Sequence, residues 1–139
     1  MENGDAVAEP TVARLTYRVP YADTDQMGVV YYANYLVYFE RARTELLRLV
    51  GLPYREMESR GYGLPVIEAH VDYKASAGYD DELTITGCLA WVKGVRLRVD
   101  CEVLLGETLL CQGHTVHAFV ELETMRPVRV IPELAKHSK

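Results

Sequence analysis

The chain has 139 residues, about the length of one domain and enough to bury a core without staples. Apolar residues make up 49%, charged residues 25%, and the net charge is −5, which sets disorder aside and disfavours a general nucleic-acid binder. No apolar run approaches the ~18 residues of a membrane span, and the acidic, polar start MENGDAVAEP is unlike a signal peptide. Cys88, Cys101 and Cys111 are odd in number and form no C-x-x-C pair, which argues against a disulfide framework or zinc knuckle and for a reducing compartment. The expectation is a cytoplasmic, single-domain protein.

In chain order, residues 1–10 read as a tail closed by Pro10. Thr11 to Tyr21 reads as a first strand, with Val12, Leu15, Tyr17 and Val19 among polar residues. Ala22 to Gly28 is loop chemistry. From Tyr32 to Asn34 the period changes: Tyr35, Phe39, Ala42, Leu46, Leu49 and Val50 recur at helical spacing, with Glu40, Arg43, Thr44, Glu45 and Arg48 on the other side. Asn34 is a candidate N-cap, and Gly51 then Pro53 stop a helix of about five turns.

After Gly63 the period becomes two. Ile67, Ala69, Val71, Tyr73 and Ala75 alternate with Glu68, His70, Asp72, Lys74 and Ser76. Further strands run through Leu83 to Trp91, Val95 to Leu105 and Thr108 to Leu122, separated by turns at Gly78–Asp81, Lys93-Gly94 and Gly106-Glu107. Short glycine-containing links predict antiparallel neighbours. The fold class is therefore α+β: a strand, one long helix, then a meander of four long strands that curls around the helix. The domain spans 11–132, and 133–139 reads as a second tail.

The densest functional segment is Tyr21 to Tyr35, in which Asp23 and Asp25 precede Gly28 just before the helix opens. Helix N-termini present unpaired N–H groups and the positive end of the dipole, and so stabilise a carboxylate or a developing oxyanion. A loop Asp at that place suits acyl chemistry, whereas a turn or capping role is the plainer alternative. A calcium loop counted from Asp23 fails, because its fifth and twelfth positions are Met27 and Asn34. His114 and His117 are three apart on a strand and point to opposite faces, so they cannot share a metal. The cysteines read as inert packing. Five of ten tyrosines (Tyr21, Tyr31, Tyr32, Tyr35 and Tyr38) lie between residues 21 and 38, part core and part a lining for an acyl or aryl pocket.

The stretch Tyr21-Ala-Asp23-Thr-Asp25-Gln-Met-Gly28-Val-Val-Tyr31, followed by Tyr35, resembles the signature of the 4-hydroxybenzoyl-CoA thioesterase family. Phe39-Glu40-Arg41-Ala42-Arg43-Thr44-Glu45 looks like the acyl-CoA thioesterases of its Tol–Pal-associated branch, and the likeness extends from about Leu15 to Pro132. The resemblance implies a hotdog fold, a long helix wrapped by an antiparallel sheet of about five strands. It implies hydrolysis of an acyl- or aroyl-CoA thioester to a carboxylic acid and free CoA, with no metal or other cofactor. It maps the catalytic carboxylate onto Asp25, as nucleophile or general base, and the oxyanion N–H onto Tyr32. Asp23 would organise the loop. Glu40 could orient the site, although a surface pair with Arg43 is simpler. Tyr31 is a substrate-binding candidate, and Lys93 and Arg96 are candidates for holding CoA phosphates. The family also implies a homodimer or homotetramer joined at sheet edges, with sites at the interface. Hydrolysis of carrier-protein thioesters, or a non-catalytic acyl-CoA-binding module, are the alternatives.

Overall fold

The computed structural model describes residues 11–138, so the expected tail at 1–10 lies outside the described residues. A five-stranded antiparallel sheet is built from β1 (Val12–Arg18), β3 (Val66–Tyr73), β4 (Glu82–Lys93), β5 (Arg96–Leu105) and β6 (Thr108–Ala118). It curls around the helix α1 (Asn34–Leu49), the hotdog arrangement. A three-stranded annex, β2 (Tyr62–Gly63), β7 (Val120–Glu121) and β8 (Arg126–Pro127), sits beside the short helix α2 (Tyr54–Ser59). No helix among the described residues is long and apolar enough to cross a membrane.

α1 forms where the 3.6-residue period begins. It buries Tyr35, Tyr38, Phe39, Ala42, Leu46 and Leu47 against Leu83, Ile85, Leu89, Leu97, Val99 and Val103 of the sheet. Gly87 lets the helix come close, since a Cβ there would lie 3.1 Å from that of Ala42. At the C-terminus Gly51 takes φ +85° while the Leu52 N–H reaches the Leu47 carbonyl at 2.9 Å, the glycine stop expected from the sequence. Asn34 does not cap. The helix starts at that residue, and its side chain donates to the Asp23 carbonyl at 2.9 Å instead.

The sheet order is β1-β4-β5-β6-β3, which corrects the meander. β4, β5 and β6 follow one another as hairpins, but β3 pairs with β6 at the far edge, in the register His70 opposite His114. The reason lies in residues 74–81. This link does not turn back but crosses the end of the barrel, held by Val30 N–H to the Ala77 carbonyl (2.9 Å) and Asp80 N–H to the Val19 carbonyl (2.8 Å). The last long strand also breaks early, at the buried Phe119, whose N–H bonds the Val95 carbonyl while Val120 joins the annex.

Three further expectations change. Arg43 is not on a solvated face but only 8% exposed, with Nε donating to the Tyr54 hydroxyl at 2.7 Å. Leu49, expected in the core, is exposed. Residues 133–138, expected as a tail, continue from the helix α3 (Pro132–Ala135), whose Leu134 is buried and whose Glu133 pairs with Arg60 at 2.6 Å. Because α1 lies closest to β4, β1 and β5, the inner face of β3 is left with little helix over it. Val66 and Ile67 are each 49% exposed.

Candidate active site

The loop from Pro20 to Ala33 is anchored at Asp23. One of its carboxylate oxygens accepts from the Tyr17 hydroxyl at 2.7 Å and the Tyr38 hydroxyl at 2.8 Å, so it ties the loop to β1 and α1 together. Its carbonyl accepts from Tyr31 N–H and the Asn34 side chain, both at 2.9 Å. Burial, reinforced by the bond to Asp23, pushes the Tyr17 phenol up to about 12, and the same causes push Tyr38 up. These phenols remain protonated donors, which suits the loop-organising expectation for Asp23.

Asp25 stands differently. A tight turn closes with Asp25 N–H to the Val29 carbonyl (2.9 Å) and Gly28 N–H to the Asp25 carbonyl (3.0 Å), with Gly28 at φ +81°. Oδ1 accepts from Met27 N–H at 2.9 Å. Among the described residues Oδ2 has no partner, and Asp25 lines a cleft of about 340 Å³ with Met27, Val30, Tyr32, Tyr35 and Tyr73. Its far wall is the crossing link, through Lys74 and Ser76. A hollow of about 400 Å³ on the outer sheet face is larger, but it is lined by His70, Asp72, Arg98 and Asp100 and lies away from the loop.

Tyr32 sits two residues before α1, and its N–H has no acceptor among the described residues. Its carbonyl is occupied instead, accepting from the Tyr73 hydroxyl at 2.9 Å. Asp25, with a free carboxylate oxygen, and Tyr32, with a free N–H at a helix entrance, therefore line the same cleft. Tyr31 is not among the residues that line the cleft; its ring packs on Tyr32 with centroids 4.9 Å apart.

The remaining candidates lie elsewhere. Lys93 and Arg96 flank the β4–β5 turn, where Lys93 Nζ sits 4.8 Å from the Trp91 ring centre. β4 starts beside the Asp25 loop and runs 12 residues to that turn, so within one subunit the structure does not bring these cations to Asp25. Glu40 lines a separate groove with Leu36 and Val37, and no ion pair joins it to Arg43 among the described residues. Lys74, read from the sequence as part of an exposed strand face, belongs to the Asp25 cleft. Strand alternation could not find it, because it lies past the end of β3, on the link that crosses. Burial pushes the Cys101 and Cys111 thiols up to about 12, which suits packing rather than nucleophilic duty.

The model of the thioesterase-like superfamily matches residues 19–137. The chain belongs to that superfamily. Acyl-CoA thioesterase YbgC of Haemophilus influenzae is 36% identical over 112 residues, covering 80% of this chain and 82% of the relative. The putative acyl-CoA thioesterase YneP of Bacillus subtilis is 32% identical over 120 residues, covering 85% and 86%. Among solved structures, a probable thioesterase from Bartonella henselae superposes with a TM-score of 0.81 at 31% identity, over 87% of this chain and 100% of that one. The superfamily match begins at Val19 and so takes in the whole loop that carries Asp23, Asp25 and Tyr32.

Proposed function

We infer that the chain is an acyl-CoA thioesterase, which hydrolyses an acyl- or aroyl-CoA thioester to the carboxylic acid and free CoA. The observation that carries this reading is the pairing, on one cleft, of the unpartnered Asp25 Oδ2 with the unpartnered Tyr32 N–H. In the proposed mechanism the thioester carbonyl accepts a hydrogen bond from Tyr32 N–H. Asp25 either attacks the carbonyl carbon, giving a mixed anhydride that water cleaves, or takes a proton from the attacking water. The tetrahedral oxyanion faces the N–H and the positive end of α1, and CoA leaves as the thiolate.

The unit is a homodimer at least, joined through the β3 edge, with a homotetramer built on the outer faces that carry Glu68, His70 and Asp72. Edge strands with exposed apolar residues are hazards unless covered, and Val66 and Ile67 are of that kind. Antiparallel pairing of β3 with a second copy reverses its direction, and so carries the partner's Lys93 and the partner's Arg96 toward the end at which Asp25 lies. That is how they could serve CoA phosphates. Three free, buried cysteines suit a cytoplasmic protein.

The test is thiol release over a panel of acyl-CoA, aroyl-CoA and carrier-protein thioesters, for wild type and Asp25→Asn. We expect kcat to fall about a hundredfold or more in the variant, with KM and Tm little changed, the mark of an interaction made only in the transition state. Wild-type kcat in Asp25→Asn, with reversion by deamidation excluded by mass, removes Asp25 from the mechanism. No hydrolysis of any thioester by wild type leaves only a binding module.

A further inference from the structure

Arg43 is 8% exposed, and no carboxylate lies within ion-pair distance of it among the described residues. Its Nε donates to the Tyr54 hydroxyl at 2.7 Å, and one terminal nitrogen reaches Thr115 Oγ1 at a long 3.4 Å. The Thr115 hydroxyl is itself engaged by His117 Nε2 at 2.8 Å, and burial holds His117 down at about 4, so this imidazole is neutral. The second terminal nitrogen has no acceptor among the described residues. A guanidinium withdrawn from water with donors unspent is costly, and such a group is stabilised by an anion.

Arg43 lines a groove of about 340 Å³ with Leu36, Val37, Val66, Ala69 and Thr115. Leu36, Glu40 and Arg43 follow one another at intervals of four and three residues, so they form a single stripe along α1, with Tyr32 just ahead of the helix. Facing it is the inner edge of β3, from Tyr73 beside the Asp25 cleft to Val66 beside Arg43. The two hollows share no lining residue, but β3 borders both, with Tyr73 at one and Val66 and Ala69 beside Arg43 at the other.

We propose that the two hollows join along β3 as one trough that takes the acyl group of the thioester, and that Arg43 binds a carboxylate at that group's far end, so that ω-carboxyacyl-CoA thioesters are preferred. The inference rests on the thioesterase reading. α1 rises about 1.5 Å per residue and its side chains tilt toward the N-terminus, so the guanidinium suits an acyl group of about six to ten carbons. A planar fork with spare donors receives a carboxylate in two parallel hydrogen bonds. Glu40 lies on the same wall, solvent-exposed and beyond ion-pair range, and it opposes the incoming anion. Arg43 is therefore a specificity residue, remote from the reacting carbonyl.

The experiment measures kcat/KM for matched pairs of ω-carboxyl and ω-methyl acyl-CoA esters from six to ten carbons. Wild type is expected to favour at least one ω-carboxyl ester by about tenfold or more over its partner, the scale of a satisfied charged hydrogen bond. Arg43→Met should erase that ratio through KM, Arg43→Lys should restore it in part, and Glu40→Gln should raise it, with Tm followed throughout. A wild-type ratio at or below one for every pair overturns the proposal. So does a ratio unchanged in Arg43→Met, or one that falls only because the oligomer dissociates. In each of these cases hydrolysis persists and the thioesterase reading stands; hydrolysis of no thioester by wild type overturns both.

Discussion

His117 offers a stability measurement that isolates one buried network. Its side chain is fully buried, with Nδ1–H donating to the Leu64 carbonyl at 2.9 Å and Nε2 accepting from the Thr115 hydroxyl at 2.8 Å. Burial, and to a lesser degree the Arg43 charge, holds the imidazole down at about 4, although the Leu64 bond works the other way. The unfolded chain binds this proton near 6.5. Between those values the unfolded state carries a proton that the native state refuses, so stability rises with pH across the window and falls as the pH is lowered through it. At 1.36 kcal/mol per pH unit the whole window is worth about 3 kcal/mol, of which about 2 is lost between pH 7 and pH 5. Urea unfolding at half-unit pH steps, for wild type and His117→Asn, separates this group from the carboxylates common to both. Asn keeps a donor near Leu64 and does not titrate. Wild type should lose about 2 kcal/mol more than the variant from pH 7 to pH 5. Parallel curves for the two proteins would refute the assignment of a neutral, buried His117.

Asp23→Asn should lower Tm and raise KM more than it lowers kcat, because the charge-assisted bonds from Tyr17 and Tyr38 weaken while Asp25 is untouched; thermal melts beside kinetics check this. Gly113→Ala should destabilise by about 2 kcal/mol or more, since a Cβ there would lie 2.0 Å from the His70 carbonyl oxygen and part β3 from β6; denaturant midpoints decide it. Ile67→Lys on the exposed edge should shift the sedimentation profile toward monomer and cut activity at the same protein concentration, and a fully active monomer at micromolar concentration would remove the edge-paired dimer.

What the sequence made legible is what short-range periodicity encodes. The change of period at Tyr32 located α1, Gly51 marked its end, and five alternating segments became the five strands of the sheet. The place of β3 was not legible. The two-residue links at Gly94 and Gly106 turn back as hairpins while the eight-residue link at 74–81 crosses to the other edge, and its length permits the crossing without specifying it. The difference lies in contacts with Val19 and Val30, about 50 to 60 residues away in sequence and so invisible to a local window. Lys74 was misplaced for the same reason. Arg43 misled through the helical wheel, which sorts by residue type. Its burial is decided by Tyr54 on α2 and Thr115 on β6, partners that the wheel does not contain. Lys93 and Arg96 are candidates by the family resemblance, as cations at a turn, and only the direction of β4 shows how far that turn lies from the loop.

In the proposed mechanism the two aspartates divide the labour, and the structure gives Asp23 side-chain partners from β1 and α1 while Asp25 has only the Met27 N–H of its own turn. The Tyr17 and Tyr38 hydroxyls converge on one oxygen of Asp23, and its carbonyl takes two more bonds. The loop is thereby fastened to β1 and to the first turns of α1 before Asp25 is placed at all. Asp25 then needs only its own short turn, with Met27 N–H on one oxygen, to fix the direction of the other. A carboxylate and an N–H held in this way need little rearrangement when charge develops on a bound carbonyl, and preorganisation of that kind is the larger part of electrostatic catalysis. Tyrosines serve the same end, Tyr38 from the sequence cluster and Tyr17 and Tyr73 from outside it. Tyr17 and Tyr38 hold Asp23, while the Tyr73 hydroxyl occupies the Tyr32 carbonyl and so leaves the N–H of that residue as the free group at the helix entrance.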